Sequence, residues 1–407
     1  IIFTLLMLVV FRIGSNIPVP GINREILDQA FNGDSGLFEL FDLFSGGAFS
    51  NLTIFALSIT PYITASIVLQ LLTIAIPALE RLAKEGVEGR KKIARYTRYL
   101  TVALAFVQAI GMTLGIFKQY LLNTDFFHIT VVVFVLSAGT AFLMWLGELI
   151  NENGIGNGIS LIIFGGIVAR VPSAVMAAYS NYKSGAISLV GIFLFLAFAI
   201  LVIIVIIEIQ QGQRRIPVQY AKRVVGRKMY GGQSTHIPLK VNQAGVIPVI
   251  FGMSLLQLPQ TLVYFWPNTG FSEFMTKWLS TNGTPGVYFY SIFYAILIIF
   301  FTYFYTAVTF NPMEVADNMK ANGGFIPGIR PGKATIEYLN RVMTRITFVG
   351  ALFLAAVAIL PTVVSQLGGL NFHFGGTSLL IAVGVALDTM KQLEQQMVMR
   401  NYQGFLK

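Results

Sequence analysis

The chain has 407 residues, 55% of them hydrophobic and only 11% charged, with a mean hydropathy of +0.71 and a net charge of +10. A soluble domain carries about 25% charged residues, so the composition excludes a soluble globular protein and places the chain in a membrane. Cysteine is absent, which excludes disulfide and thiolate chemistry, and His128, His236 and His373 are too scattered to suggest a metal site, so neither metal nor cofactor is expected.

Apolar runs of roughly 20 residues are long enough to cross a bilayer as helices, and the chain holds about ten. They fall near 1–13, 52–77, 100–117, 129–150, 159–179, 187–209, 244–265, 287–310, 346–367 and 377–398. The first opens at Ile1 without Met or a basic leader and reads as a truncated span rather than a signal peptide. After it, the loop 14–51 sets Glu25, Asp28, Asp34, Glu39 and Asp42 against Arg24. Inside that loop, LFELFDLFSGGAFS (37–50) is apolar on one helical face and too short to span, so it is either a re-entrant element or a surface amphipathic stretch.

The basic residues gather in three loops. Arg81, Lys84, Arg90, Lys91, Lys92, Arg95 and Arg98 follow the second span; Arg214, Arg215, Lys222, Arg223, Arg227, Lys228 and Lys240 follow the sixth; Lys320, Arg330, Lys333, Arg341 and Arg345 follow the eighth. That is 19 of the 28 Lys and Arg. If ten helices alternate, all three loops and the tail with Lys391, Arg400 and Lys407 share one side, which the positive-inside rule makes cytoplasmic, with both termini there. Two of these loops have a further character. QRRIPVQYAKRVVGRK (213–228) holds six positive charges and no negative one, and GFIPGIRPGKAT (324–335) sets prolines and glycines around Arg330, as either a shaped tip or an ordinary turn-rich connection.

Few ionisable groups stand inside the spans. Glu148, Glu208 and Asp388 lie in last turns near the cytoplasmic interface and Arg170 toward the far end of the fifth span, positions that suit anchoring or local ion pairs. No paired acids, Ser–His arrangement or zinc motif appears, and PGIRPGKAT (327–335) has Pro327 where a phosphate loop needs Gly, so the chain does not read as an enzyme.

At this point particular stretches carry a resemblance: FRIGSNIPVPGI (11–22), LFSGGAFSNLTIFALSITPYITASIVLQLL (43–72), MWLGELINENGIGNGIS (144–160), GQRRIPVQYAKR (212–223), STHIPLKVNQAGVIPVIF (234–251), FNPMEVADNMKANGGFIPGIRPGKAT (310–335) and FGGTSLLI (374–381). Together they closely resemble the bacterial SecY family, the channel subunit of the general protein translocase. The resemblance implies an all-α polytopic membrane protein: ten transmembrane helices in two pseudo-symmetric, inverted-repeat halves forming a clamshell pore. The halves are 1–180, with spans one to five and a plug segment near 37–54, and 181–407, with spans six to ten and cytoplasmic loops 210–242 and 310–343.

The implied function is a protein-conducting channel of the bacterial cytoplasmic membrane. It translocates unfolded polypeptide and releases signal or transmembrane segments laterally into lipid; the alternative reading is an ion-coupled secondary transporter of a small solute. By the same resemblance the pore ring is Ile59, Ile63, Ile159, Ile163, Ile250 and Ile381, the plug includes Ser45, Gly46, Gly47 and Ala48, and the lateral gate includes Gln70 and Asn242. Partner docking falls to Arg214, Arg215, Lys222, Arg223, Arg227, Lys228 and Arg330. Implied partners are the SecE and SecG subunits, the SecA motor ATPase, the ribosome, signal-bearing preproteins and anionic lipids. A narrow collar of β-branched side chains suits such a pore, because it excludes ions by dewetting and offers a passing chain nothing to bond.

Overall fold

The local chemistry of proline and glycine sets where the membrane helices begin and break. In the computed structural model, which describes residues 1–22, 45–115, 117–185, 188–220, 223–225, 228–230, 234–263, 269–279, 285–368 and 376–404, α1 (Ile2–Gly14) is followed by the irregular segment 45–59 and then α2 (Thr60–Ala75). The sequence places the second span at 52–77, but the helix starts only at Thr60, with Pro61 in its first turn where a missing N–H costs nothing. Ahead of it, Leu52 and Ser58 adopt left-handed backbone, with φ of 41° and 53°, which no α-helix can continue through. At the other end Pro77 forces Ile76 into extended backbone, and α3 (Pro77–Lys84) leaves at 101° to α2.

The first half continues with α4 (Val87–Gly115), α5 (Phe126–Asn153), α6 (Gly158–Ala169) and α7 (Val171–Lys183). Helix α4 starts well before the expected span, because the basic stretch through Arg98 is made of good helix formers and simply extends it. Arg98 Nε donates to Glu148 Oε1 of α5 at 2.7 Å, the local ion pair that an interfacial Glu148 suggests.

The second half comprises α8 (Leu189–Gln211), α9 (Ile247–Val263), α10 (Gly270–Trp278), α11 (Gly286–Thr309), α12 (Pro312–Ala321), α13 (Lys333–Gly368) and α14 (Gly376–Gly404). The ten expected spans all overlap helices, the second beginning in irregular chain and the fifth running over both α6 and α7. By length and apolarity six spans qualify among the described residues, and a seventh if the bent pair α2–α3 counts as one; α1 and α9 are apolar but shorter. Among its described residues helix α8 buries fully only Val202 and Ile206, one turn apart, and leaves more than half of the rest exposed, as a helix facing lipid on much of its surface does.

Packing divides the helices into two bundles. In the first, α1 packs on α5 and α6, α4 on α2 and α5, and α5 on α6; in the second, α11 packs on α9 and α13, and α14 on α8 and α13. The bundles meet along two seams, where α9 lies against α2 and α4, and α14 lies against α6. A hydrogen bond also crosses between them, from the Gly156 N–H to Gln392 Oε1 at 2.8 Å.

The loops after α8 and α11 are not separate fingers. Strands β1 (Gln213–Tyr220) and β4 (Ser234–Lys240) pair antiparallel, and β5 (Gly324–Phe325) from the second loop pairs with the end of β1 through Gln219 and Tyr220. Between the two, β2 (Arg223–Val225) and β3 (Lys228–Tyr230) form a small ribbon of their own. Ile216 and Val218 alternate inward from β1 and join Leu239, Ala316, Met319, Ile326, Leu339 and Met343 in a separate small core. Both basic loops are thereby fastened to one another and to the start of α13.

Candidate functional site: an apolar waist between the bundles

The segment between α5 and α6 sets the position of two of the six isoleucines. Asn157 caps α6, its Oδ1 accepting from the N–H groups of Ile159 at 3.1 Å and Ser160 at 3.2 Å, while Asn151 Oδ1 accepts from the Gly158 N–H at 2.8 Å. Gly158 has no room for a Cβ, which would strike the Gly147 carbonyl, so the backbones of α5 and α6 are in direct contact and the rotation of α6 is fixed. Ile159 and Ile163 then share one face at i, i+4.

Ile59 is the N-cap of α2 and Ile63 lies one turn on, Ile250 is in the first turn of α9, and Ile381 is in the first turns of α14. Five of the six, Ile59, Ile63, Ile163, Ile250 and Ile381, are buried members of a single apolar cluster, and Ile159 packs on it half-buried. The four elements that contribute them, α2, α6, α9 and α14, all take part in the seams between the bundles. Three tyrosines, Tyr62, Tyr290 and Tyr294, pack in or against the cluster, and Tyr294 Oη donates to the Val249 carbonyl at 3.3 Å. Among the described residues no group of His, Asp or Glu could hold a metal ion.

The segment carrying Ser45, Gly46, Gly47 and Ala48 lies against this waist. Ala48 is buried in the same cluster, Ser45 Oγ accepts from the Phe49 N–H at 3.0 Å, and Arg12 Nη1 of α1 donates to the Gly46 carbonyl at 3.2 Å. Gly46 has φ +65°, and a Cβ added there would lie 2.7 Å from the Gly166 Cα of α6. The part of the expected plug before Ser45 lies outside the described residues. Replacing Gly46 with Ala is expected to push the segment off α6, lowering thermal stability by about 1–3 kcal/mol and raising the resting ion leak of reconstituted protein. A folded Gly46→Ala variant with unchanged melting and unchanged leak would show that this contact does not matter.

Gln70 is half-buried on α2. Asn242 is buried just before α9, with Nδ2 donating to the Gly245 carbonyl at 2.9 Å and Oδ1 without a partner. Sequence reasoning passed over a larger polar set nearby. Ser254 Oγ, Gln257 Nε2 and Oε1, and Gln260 Oε1 of α9 are buried without hydrogen-bond partners among the described residues, as are Thr64 Oγ1 of α2 and Thr113 Oγ1 of α4. The signal was present as polar residues at 254, 257 and 260, three apart in a helix whose only other polar side chain is Thr261.

Of the basic residues expected to dock a partner, Arg214 and Arg215 project exposed from β1, and Arg330 is exposed with its carbonyl held by Thr335 Oγ1 at 2.9 Å. The left-handed Gly328 and Gly332, at φ 82° and 102°, shape the turns on either side of it. Arg223 and Lys228 lie on β2 and β3, while Lys222 and Arg227 fall outside the described residues.

Two helical bundles that touch along two seams around a shared apolar waist define a polytopic membrane protein of the channel class. A solved structure described as a protein conducting channel matches with a TM-score of 0.68, covering 97% of this chain and 91% of that one at 22% identity. Sec61 from a canine ribosome–channel complex matches with a TM-score of 0.65 over 97% of this chain and 91% of its own, at 20% identity. The SecY family profile matches residues 53–390. The protein translocase subunits SecY of Aquifex aeolicus and of Halalkalibacterium halodurans are 48% and 51% identical, each comparison covering 100% of this chain and 96% of the relative. The chain belongs to the SecY family.

Proposed function

We propose that the chain is a protein-conducting channel, passing unfolded polypeptide through the apolar waist and releasing apolar signal and transmembrane segments sideways into the cytoplasmic membrane. The observation that carries this reading is the convergence of six isoleucines, from positions 59 to 381, on one cluster where the bundles meet. A neutral collar dewets and blocks ions, yet gives a threaded chain no hydrogen bonds to stick to. The segment at Ser45–Ala48 then serves as the plug, seated on α6 and held by Arg12. The halves are the bundles before and after residue 180, and both termini lie on the cytoplasmic side with the basic loops.

Sideways release uses the seam of α9 with α2 and α4, near Gln70 and Asn242. Buried polar atoms without partners cost about 1–3 kcal/mol each, and a parting of this seam that admits water would satisfy those of α9. An apolar residue gains only about 0.3–0.6 kcal/mol at the membrane centre, so several must act together to leave through such a seam, which makes it a sensor of hydrophobicity. SecE and SecG complete the complex, and the basic unit around β1 and Arg330 docks the ribosome or the SecA motor. A small-solute transporter has no support among the family or the relatives.

The reading is tested in proteoliposomes containing the chain, SecE and SecA. A signal-bearing precursor should become protected from added protease on ATP addition. Absence of protected precursor together with uptake of a small solute would replace the channel with the transporter.

A further inference from the structure

Helix α10 (Gly270–Trp278) stands between α9 and α11 on the membrane face opposite the basic sheet, and at 9 residues it is far too short to cross. Thr269 starts it, its Oγ1 accepting from the Ser272 N–H at 3.4 Å, and Glu273 in the first turn and Lys277 in the last suit the helix dipole. Phe271, Phe274, Met275 and Trp278 recur at helical spacing and form one face, with Glu273 and Lys277 on the other.

Packing fixes where the apolar face points. The Trp278 ring stands 4.7 Å from the ring of Phe289, in the first turn of α11, and edge-on to it. Phe289 opens a stripe with Ile292, Phe293, Ile296 and Phe300, each about half exposed, along which α11 meets acyl chains. Gln260 Nε2 of α9 donates to the Leu279 carbonyl at 3.4 Å, which holds the end of α10 beside both of its neighbours. Phe274, its ring 6.3 Å from that of Trp278, is 54% exposed and Phe271 39%, so the apolar face of α10 extends the lipid-facing stripe of α11 sideways.

We propose that α10 lies in the plane of the bilayer, with Phe271, Phe274 and Trp278 inserted at the boundary between headgroups and acyl chains in the leaflet opposite the basic loops. Aromatic rings favour that depth, and an amphipathic helix there buries its apolar face while Glu273 and Lys277 stay in water. The two charges cancel, so the contact is apolar and calls for no anionic headgroup. Through Gln260 it ties the outer end of α9 to the membrane surface, beside the seam that α9 forms with α2 and α4. This placement requires only that α9 and α11 cross the membrane, whatever passes through the waist.

The chain holds no cysteine, so Phe274→Cys and Lys277→Cys each give the full chain, in phosphatidylcholine vesicles, a single site for an environment-sensitive fluorophore. At position 274 the emission should fall several-fold when the acyl chains carry bromine, and should resist iodide supplied on both sides of the vesicle. At position 277 iodide should quench strongly and bromine weakly. Replacing part of the lipid with phosphatidylglycerol should alter neither pattern. Phe271→Cys carries the same test if circular dichroism shows the Phe274→Cys variant unfolded. Equal iodide quenching at 274 and 277 would place the face in water and overturn the proposal. Shielding of 274 from both quenchers would show protein covering the face, a second copy or another chain, and would overturn it equally. Insertion that occurs only with phosphatidylglycerol would contradict the apolar contact.

Discussion

Replacing Ile63 and Ile250 together with Ser should make the resting channel leak ions. The two side chains, 3% and 6% exposed, reach the same cluster from opposite bundles. Serine removes three carbons from each and adds a hydroxyl that water can bond. At about 0.8 kcal/mol per carbon, the apolar barrier falls by about 5 kcal/mol, which raises the wetted population on the order of a thousandfold or more. Single-channel recording in planar bilayers should therefore show open events in the variant that are absent from wild type. Ile63→Leu with Ile250→Leu nearly conserves volume and apolarity and should remain tight. The serine pair also empties part of a core, at about 2–5 kcal/mol per large-to-small substitution, so folding must be checked by circular dichroism. A folded serine variant with wild-type conductance would mean that these isoleucines pack the bundles without lining the constriction.

Reversing Arg214 and Arg330 to Glu should weaken docking to ribosomes or to the SecA motor. The two residues belong to different loops, but β5 pairs with β1 and the loops share one small core, so both charges are presented by one fastened unit. Ribosomal RNA offers a dense array of phosphates, and each lost phosphate contact lowers the slope of log affinity against log salt by about 0.7–0.9. Two lost contacts should flatten that slope by about 1.5, with the difference from wild type greatest at low salt. Both positions are exposed, so melting should change by no more than about 0.5 kcal/mol. Co-sedimentation across a salt series measures the effect, and binding indifferent to both charge and salt would contradict the electrostatic account.

Much of the molecule was legible in the chain because bilayer energetics are local. Whether a stretch enters hydrocarbon depends on its own side chains, and for that reason the apolar runs coincide with helices and the charged residues fall between them. The positive-inside asymmetry is equally a property of short segments. Local signals had limits where backbone geometry intervened. Residues 52–59 are apolar enough to begin a span, yet left-handed Leu52 and Ser58 hold them as irregular chain against the waist, and Pro77 turns the end of α2 aside.

The sequence by itself thus determined a membrane protein of about ten apolar segments, its charged face, and through its motifs the family that the profile and relatives bear out. Only the tertiary structure decided that Ile59, Ile63, Ile163, Ile250 and Ile381 share one cluster, that two basic loops are stitched into one sheet, and that Ser254 and Gln257 of α9 are buried without hydrogen-bond partners among the described residues. The physical reason is range. Transfer into lipid is summed over neighbouring residues, whereas burial at a seam is set by which helices pack together, and residues hundreds of positions apart carry no local sign that they will touch.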